Sequence, residues 1–203
     1  DCVDGEVRFD AGARGTYSTD ASNFREIPIG VVVPRTPDAV ADVVRVCREH
    51  DSPVLSRGGG TSLAGQCTNT AVVIDWSKYC TGIVSVDESA GVAVVEPGIK
   101  LDDLNEALKD SGWMVGPRPS THVSCTIGGM IGNNSCGATA QAYGKMVDSV
   151  RRLEVLTYGG LRMWVGPTSD AEFDRIVAEG GERAEIYQRL RALRHEYADE
   201  IRK

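Results

Sequence analysis

Apolar positions along the chain change period several times, and each change marks an element. Residues 29–33, IGVVV, form an unbroken apolar run, the pattern of a buried strand. In PDAVADVVRVCREH (37–50), Val40, Val43, Val44 and Cys47 recur at helical spacing, and Thr36 or Asp38 caps the start. PVLSR (53–57) returns to strand, so 29–57 predicts a βαβ unit with parallel strands. AVVIDW (71–76) is another strand. GIVSVD (82–87) and GVAVVEPG (91–98) predict a hairpin turning through Glu88-Ser89-Ala90. LDDLNEALKDSG (101–112) predicts a short amphipathic helix with Gly112 as its C-cap. VRRLEVLTYGG (150–160) and LRMWV (161–165) predict a second hairpin, turning at Gly159-Gly160. ERAEIYQRLRALRHEYADEIRK (182–203) predicts a helix with Ile186, Leu190, Leu193, Tyr197 and Ile201 along one side and a solvated charged face. That apolar stripe meets no stop signal, which sets the expectation that the domain continues past Lys203.

Two stretches fit neither period. RGGGTSLAGQ (57–66) carries four glycines directly after a strand. Peptides without Cβ atoms let successive N–H groups point into one hollow, a nest suited to phosphate, and Thr61 and Ser62 add hydroxyls. A P-loop needs Gly-Lys followed by Ser or Thr, which is absent. A dinucleotide fingerprint needs a third glycine where Leu63 stands, and LAGQCTN is a poor helix start. Taken alone, the loop reads equally as a phosphate nest or a surface turn. The second stretch, GPRPSTHVSCTIGGMIGNNSCGATAQAYG (116–144), is rich in Gly, Ser, Thr and Asn, with Pro117 and Pro119 stiffening its entry. Long irregular segments in compact domains are usually functional. A nest paired with a long bed of small residues suits a large dinucleotide with a flat head.

Composition narrows the partners. The chain has 203 residues, 41% hydrophobic and 25% charged, enough for one large domain or two small lobes. A net charge of −7 disfavours non-specific binding to nucleic acid or an anionic membrane. No run is long enough to span a bilayer, and no signal peptide is visible. Six cysteines without C-x-x-C spacing and three scattered histidines indicate no metal site and no local iron–sulfur motif. Reduced thiols and a cytoplasmic location, or one peripheral to a membrane, are expected.

RGGGTSLAGQ, then EPG at 96–98, then PSTHVSCTIGGMIGNNSCGATAQAYG resemble the FAD-binding domain of the vanillyl-alcohol oxidase/p-cresol methylhydroxylase (PCMH-type) flavoprotein superfamily. Within it the chain is similar to FAD-linked oxidases of the D-lactate dehydrogenase, glycolate oxidase and D-2-hydroxyglutarate dehydrogenase kind. GGMIGNNSCG matches the large bacterial type that carries a C-terminal iron–sulfur domain. The likeness covers roughly residues 14–165, including YSTDASNFREIPIGVVVPRTPDAV at 17–40.

The resemblance implies an α+β fold, with a small parallel βαβ lobe and a larger, mainly antiparallel lobe, and FAD between them. Residues 1–203 form one truncated FAD-binding domain on this reading, with sublobes 14–76 and 82–203. Arg57, Gly58, Gly59, Gly60, Thr61, Ser62, Leu63, Gly65 and Gln66 would hold the pyrophosphate. Pro97 and Gly98 would lie near the adenosine or pyrophosphate. Pro119, Ser120, Thr121, Thr126, Gly128, Gly129, Gly132, Asn134, Ser135 and Gly137 would line the ribityl and isoalloxazine groups. Tyr143 and Gly144 would close the segment, and Val150 would touch the adenine. Thr61 stands where relatives with covalent flavin carry histidine, so non-covalent FAD is expected. The full-length parent would oxidise a small 2-hydroxy acid and pass electrons to an iron–sulfur domain or a quinone. The alternatives are a non-catalytic nucleotide-binding module or fragment without bound cofactor, and an unrelated phosphate-binding enzyme that uses the nest.

No pair of titratable residues in the chain is placed to abstract a hydroxyl proton and hold a carboxylate, so no catalytic residue is assigned and the 203 residues alone are expected to be inactive and to bind FAD weakly. His122 reads as a hydrogen-bonded loop residue, and Arg118 equally as an anion ligand or a solvated side chain. Cys125 and Cys136 read as buried fillers. Glu96 reads as a strand-end residue, and Asp20 and Asn23 as anchors of an N-terminal turn.

Overall fold

The structure is a computed structural model and describes residues 3–203. They fall into two compact units, one ending at Val150 and one running from Arg151 to Lys203.

The first unit begins with a four-stranded sheet. β1 (Gly5–Arg8), β2 (Gly30–Pro34), β3 (Val54–Arg57) and β4 (Val72–Asp75) lie in the order β1-β2-β4-β3. β2 and β3 both run parallel to β4, which sits between them, and β1 adds an antiparallel edge. The parallel strands of the predicted βαβ unit are therefore present, with β4 inserted between them. All five residues of β2 and all four of β4 are buried, which explains their unbroken apolar runs. Alternation sends Val31, Val33 and Val73 into one cluster, with Tyr17, Leu55 and Tyr79 packed against it. α2 (Ala39–Glu49) packs on β2 and buries Val40, Val43, Val44 and Cys47, the predicted stripe. The cap hydroxyl is that of Thr36, which accepts the Ala39 N–H at 3.3 Å; Asp38 makes no side-chain cap bond.

β5 (Ile83–Asp87) and β6 (Val92–Val95) form the first predicted hairpin, and Asp87 accepts the Ala90 N–H in its turn. α3 (Leu101–Leu108) follows, continues as a 3-10 turn over Lys109–Ser111, and ends at Gly112 in the left-handed region with φ 74°. Leu101, Leu104 and Leu108 pack with Ile99, Cys125, Ile127, Met130 and Met146 in a second core.

That core corrects the reading of 116–144 as pattern-free. The segment contains α4 (Ile127–Gly132) and α5 (Ala140–Tyr143), and α6 (Met146–Ser149) comes directly after it. Ile127, Met130 and Ile131 stand at helical spacing and face the core, but the glycines between them mask the helix because glycine is a weak helix former.

The second unit holds the other predicted hairpin, β7 (Leu153–Leu156) with β8 (Arg162–Val165). The antiparallel strands of 82–165 form two hairpins, one in each unit. α7 (Asp170–Glu179), which periodicity did not single out, is capped by Ser169 and packs against α8 (Gly181–Glu196). The helix predicted over 182–203 breaks at Tyr197 and resumes as α9 (Ala198–Ile201). Its expected stripe is mostly exposed, with Leu190, Leu193, Tyr197 and Ile201 about half in solvent or more. The buried face is instead Ala184 and Tyr187, with Tyr187 tilted against Phe173 at 5.3 Å.

Candidate functional site

The glycine loop leaves β3 at Arg57, whose side chain turns back beneath it. The Arg57 guanidinium donates to the carbonyls of Cys67 at 2.7 Å, Thr19 at 2.8 Å and Tyr17 at 3.4 Å. It also lies over the Tyr17 ring, 5.3 Å from its centroid. The bond to Cys67 closes the loop on itself, and those to Tyr17 and Thr19 fasten it to the N-terminal segment. The Ala21 N–H donates to Gly60 O at 3.1 Å, and the Cys67 N–H donates to Asp20 at 3.2 Å. Burial pushes the Asp20 carboxyl up, but bonds from Ser22 and from the Cys67 N–H outweigh it and hold Asp20 below its ordinary value. Tyr17 completes the clasp, donating its hydroxyl to Asp75 at 2.5 Å. Its own pKa is raised by burial and by that carboxylate.

This clasp explains the crowding of the glycines. Gly60 has φ +65°, and a Cβ there would lie 2.6 Å from the Arg57 guanidinium. A Cβ on Gly59 would lie 2.1 Å from the carbonyl oxygen of Ser124, so the loop docks backbone to backbone on the second segment. What remains is a row of donors. Among the described residues, the N–H groups of Gly59, Gly60, Thr61 and Leu63 meet no hydrogen-bond acceptor. Leu63 is 78% exposed. Uncommitted N–H groups on a rigidly held glycine loop fit an anion nest. Ser62 and Gln66 bond each other across it.

The second segment spends more of its polar groups on itself. Thr126 is 1% exposed and caps α4 by accepting the Gly129 N–H at 3.3 Å. Gly128 packs against Pro97, and Gly137 sits against the Arg118 carbonyl. Asn134 accepts the Val147 N–H, and the Ser135 carbonyl accepts that of Met146. Gly98 is wedged against the carbonyl of Trp76. Ser120, Gly129, Gly132 and Tyr143 are exposed, Pro119 and Thr121 are half-buried, and Val150 packs on the second core.

His122 donates from Nδ1 to the Asp102 carboxylate at 2.7 Å and lies 3.3 Å from the Arg118 guanidinium, as a bonded loop residue should. Cys125 is buried and burial raises its thiol, whereas Cys136 is exposed, which corrects its reading as a filler. Glu96 accepts the Gly82 N–H at 2.7 Å, a structural role. Asp20 accepts the Ser22 N–H at 2.8 Å, fixing the expected turn. Periodicity could not find the Arg57–Tyr17–Asp75 clasp, because its members lie 40 and 58 positions apart. No group of His, Cys, Asp and Glu suited to a metal occurs among the described residues, and no helix there is long and apolar enough to cross a membrane.

The comparisons agree with this geometry. Residues 28–166 match the family described as FAD binding domain. The chain is 31% identical over 97% of its length to D-2-hydroxyglutarate dehydrogenase of Pseudomonas putida, and spans 20% of that protein. It is 34% identical over 78% of its length to the glycolate oxidase subunit GlcD of Bacillus subtilis, and spans 34% of it. Among solved structures, an alkyldihydroxyacetonephosphate synthase superposes over 82% of the chain with a TM-score of 0.71 at 21% identity, a likeness of fold. The chain thus spans between a fifth and about a third of these relatives. With the sequence motifs, the mixed α+β fold and the family match pointing the same way, the chain belongs to the FAD binding domain family of the PCMH-type superfamily, whose cofactor is FAD.

Proposed function

We propose that this chain is the cofactor-holding part of an FAD-linked dehydrogenase that oxidises a 2-hydroxy acid. The observation that carries this reading is the row of uncommitted N–H groups at Gly59, Gly60, Thr61 and Leu63, held by Arg57 and docked on 124–126. The loop would take the FAD pyrophosphate. Ser120, Thr121, Gly129 and Gly132, with their exposed or half-buried surfaces, would meet the ribityl and ring end, and Pro97-Gly98 the other side. Thr126, Gly128 and Gly137 would shape that bed from beneath, since their neighbours are protein. Thr61 offers no ring nitrogen for a covalent link, so FAD is held by contacts alone. When bound, the flavin supplies the hydride acceptor, and this chain supplies position and electrostatics. Its relatives include a D-2-hydroxyglutarate dehydrogenase, a glycolate oxidase subunit and a D-lactate dehydrogenase, which supports a 2-hydroxy acid as the substrate class. The electron acceptor would be an iron–sulfur centre or a quinone.

The test is an assay of the full-length parent with D-2-hydroxyglutarate, D-lactate and glycolate and an artificial electron acceptor, after acid precipitation of a second sample. Turnover on one of these acids, with free FAD in the acid supernatant, is expected. Flavin retained on the precipitated polypeptide contradicts non-covalent binding, and no turnover on any 2-hydroxy acid contradicts the substrate class.

A further inference from the structure

The second unit holds a feature lined by none of the residues assigned above to FAD. Between the start of β7, the end of β8 and α7–α8 lies a hollow of about 360 Å³. Arg151, Arg152 and Arg183 all line it, with Trp164, Thr168 and Glu172. In a chain of net charge −7, three arginines gathered around one space call for an explanation. None of their three side chains forms a hydrogen bond or ion pair with another described residue. Most other arginines do, such as Arg162 with Glu154 and Arg191 with Asp174. The one carboxylate in the lining, Glu172, lies 3.6 Å from Arg175 and is paired there.

Arg183 carries the sharper observation. Its Nε is buried and has no hydrogen-bond partner. A buried, unmatched donor is rare, and on a cation it costs more than on a neutral group. Arg183 stacks on Tyr187 at 5.6 Å and Arg152 on Trp164 at 5.8 Å. Stacking holds a guanidinium plane without using its N–H groups. The result is a set of unused donors around a space of small-molecule size.

We propose that this hollow is a binding site for a compact oxyanion, a phosphate or a small dicarboxylate. Guanidinium forks match the paired oxygens of both. The bound anion would supply the missing partner of the Arg183 Nε and relieve the mutual repulsion of the three arginines. The hollow is lined only by residues of the second unit, whereas the glycine loop belongs to the first.

The test follows the side-chain Nε–Hε resonances of the arginines by NMR while the chain is titrated with inorganic phosphate and, separately, with succinate. Chloride at equal ionic strength is the control. Arg183→Lys identifies the Arg183 signal by its loss. Saturable movement of that signal with phosphate or succinate is expected, and the tighter of the two names the class. In the Arg151→Gln/Arg152→Gln variant, which changes only exposed side chains and leaves Arg183 in place, affinity should fall at least about tenfold. An Arg183 signal that ignores both anions, moves equally with chloride, or binds as tightly in the double variant overturns the site.

Discussion

The loop at 57–67 and the segment at 116–144 draw on the same residue types, yet the fold uses them differently. In the loop, one side chain, Arg57, does most of the holding, and the backbone donors of Gly59, Gly60, Thr61 and Leu63 are left over. In the segment, hydroxyls, amides and glycines are largely consumed by the protein itself, as at Thr126, Asn134 and Gly137. Small polar residues therefore mark two different things. They mark a surface left open for a ligand, and they mark backbone packed too closely for side chains. The loop presents its donors on a turn that Arg57 holds, while the segment leaves a second run, at Cys136, Gly137, Ala138 and Thr139, that also meets no acceptor among the described residues.

The largest effect is expected where the two regions touch. Gly59→Val places its side chain against the Ser124 carbonyl and should lower stability by about 3 kcal/mol while abolishing FAD binding. Thermal melting and flavin titration check both. A stable variant with ordinary FAD affinity would break the account of how loop and segment meet.

This contact also shows what the sequence conveys and what it hides. The glycine run announces that something approaches the backbone closely, but not that one neighbour is residues 124–126. The strands and α2 are legible because burial on one stripe or on both faces writes a period into the chain. α4 is hidden because Gly128 and Gly129 dilute its helical pattern, although Ile127, Met130 and Ile131 keep the spacing. The stripe expected on the last helix misled because an apolar row shows amphipathicity, not which neighbour exists to cover it. The clasp of Arg57, Tyr17, Asp20 and Asp75 depends on contacts distant in sequence, to which periodicity is blind.

A second way to sharpen the comparison is to loosen the loop without touching its donors. Arg57→Met removes three bonds to carbonyls and should weaken FAD binding by about tenfold or more, with a loss of about 2 kcal/mol in stability. Arg57→Lys should recover only part of the affinity, because an ammonium lacks the planar fork. Equal affinity in the methionine variant would show that the loop needs no clasp.

Gly132→Ala probes the segment in the opposite sense. Beyond its chain neighbours and the backbone of its own helix, no described atom lies within 4 Å of the added Cβ, and the residue is helical, so stability should hold or rise by up to about 1 kcal/mol. If the flavin end rests here, FAD affinity should nevertheless fall, a separation that titration and melting read on the same sample. Unchanged affinity would remove Gly132 from the cofactor bed.

The smallest effect concerns pH. The folded Asp20 carboxyl sits below its ordinary value of 3.8, so its bonds to Ser22 and Cys67 stabilise the fold above that value. The contribution is lost as pH falls through the lowered pKa. The difference in melting temperature between the natural chain and Asp20→Asn should thus be largest near neutrality and shrink below pH 3.8. A difference that grows on acidification contradicts the sign.

The central claim is that the free N–H groups of the glycine loop receive the pyrophosphate, and backbone amide NMR reads it directly. The chain is titrated with FAD and, separately, with ADP, which carries the pyrophosphate but no flavin. The account predicts that both ligands shift the amide resonances of Gly59, Gly60, Thr61 and Leu63 and slow their exchange with solvent, while FAD alone also moves Ser120, Thr121 and Gly132. Ligand-induced shifts that leave those four loop amides unchanged would contradict it.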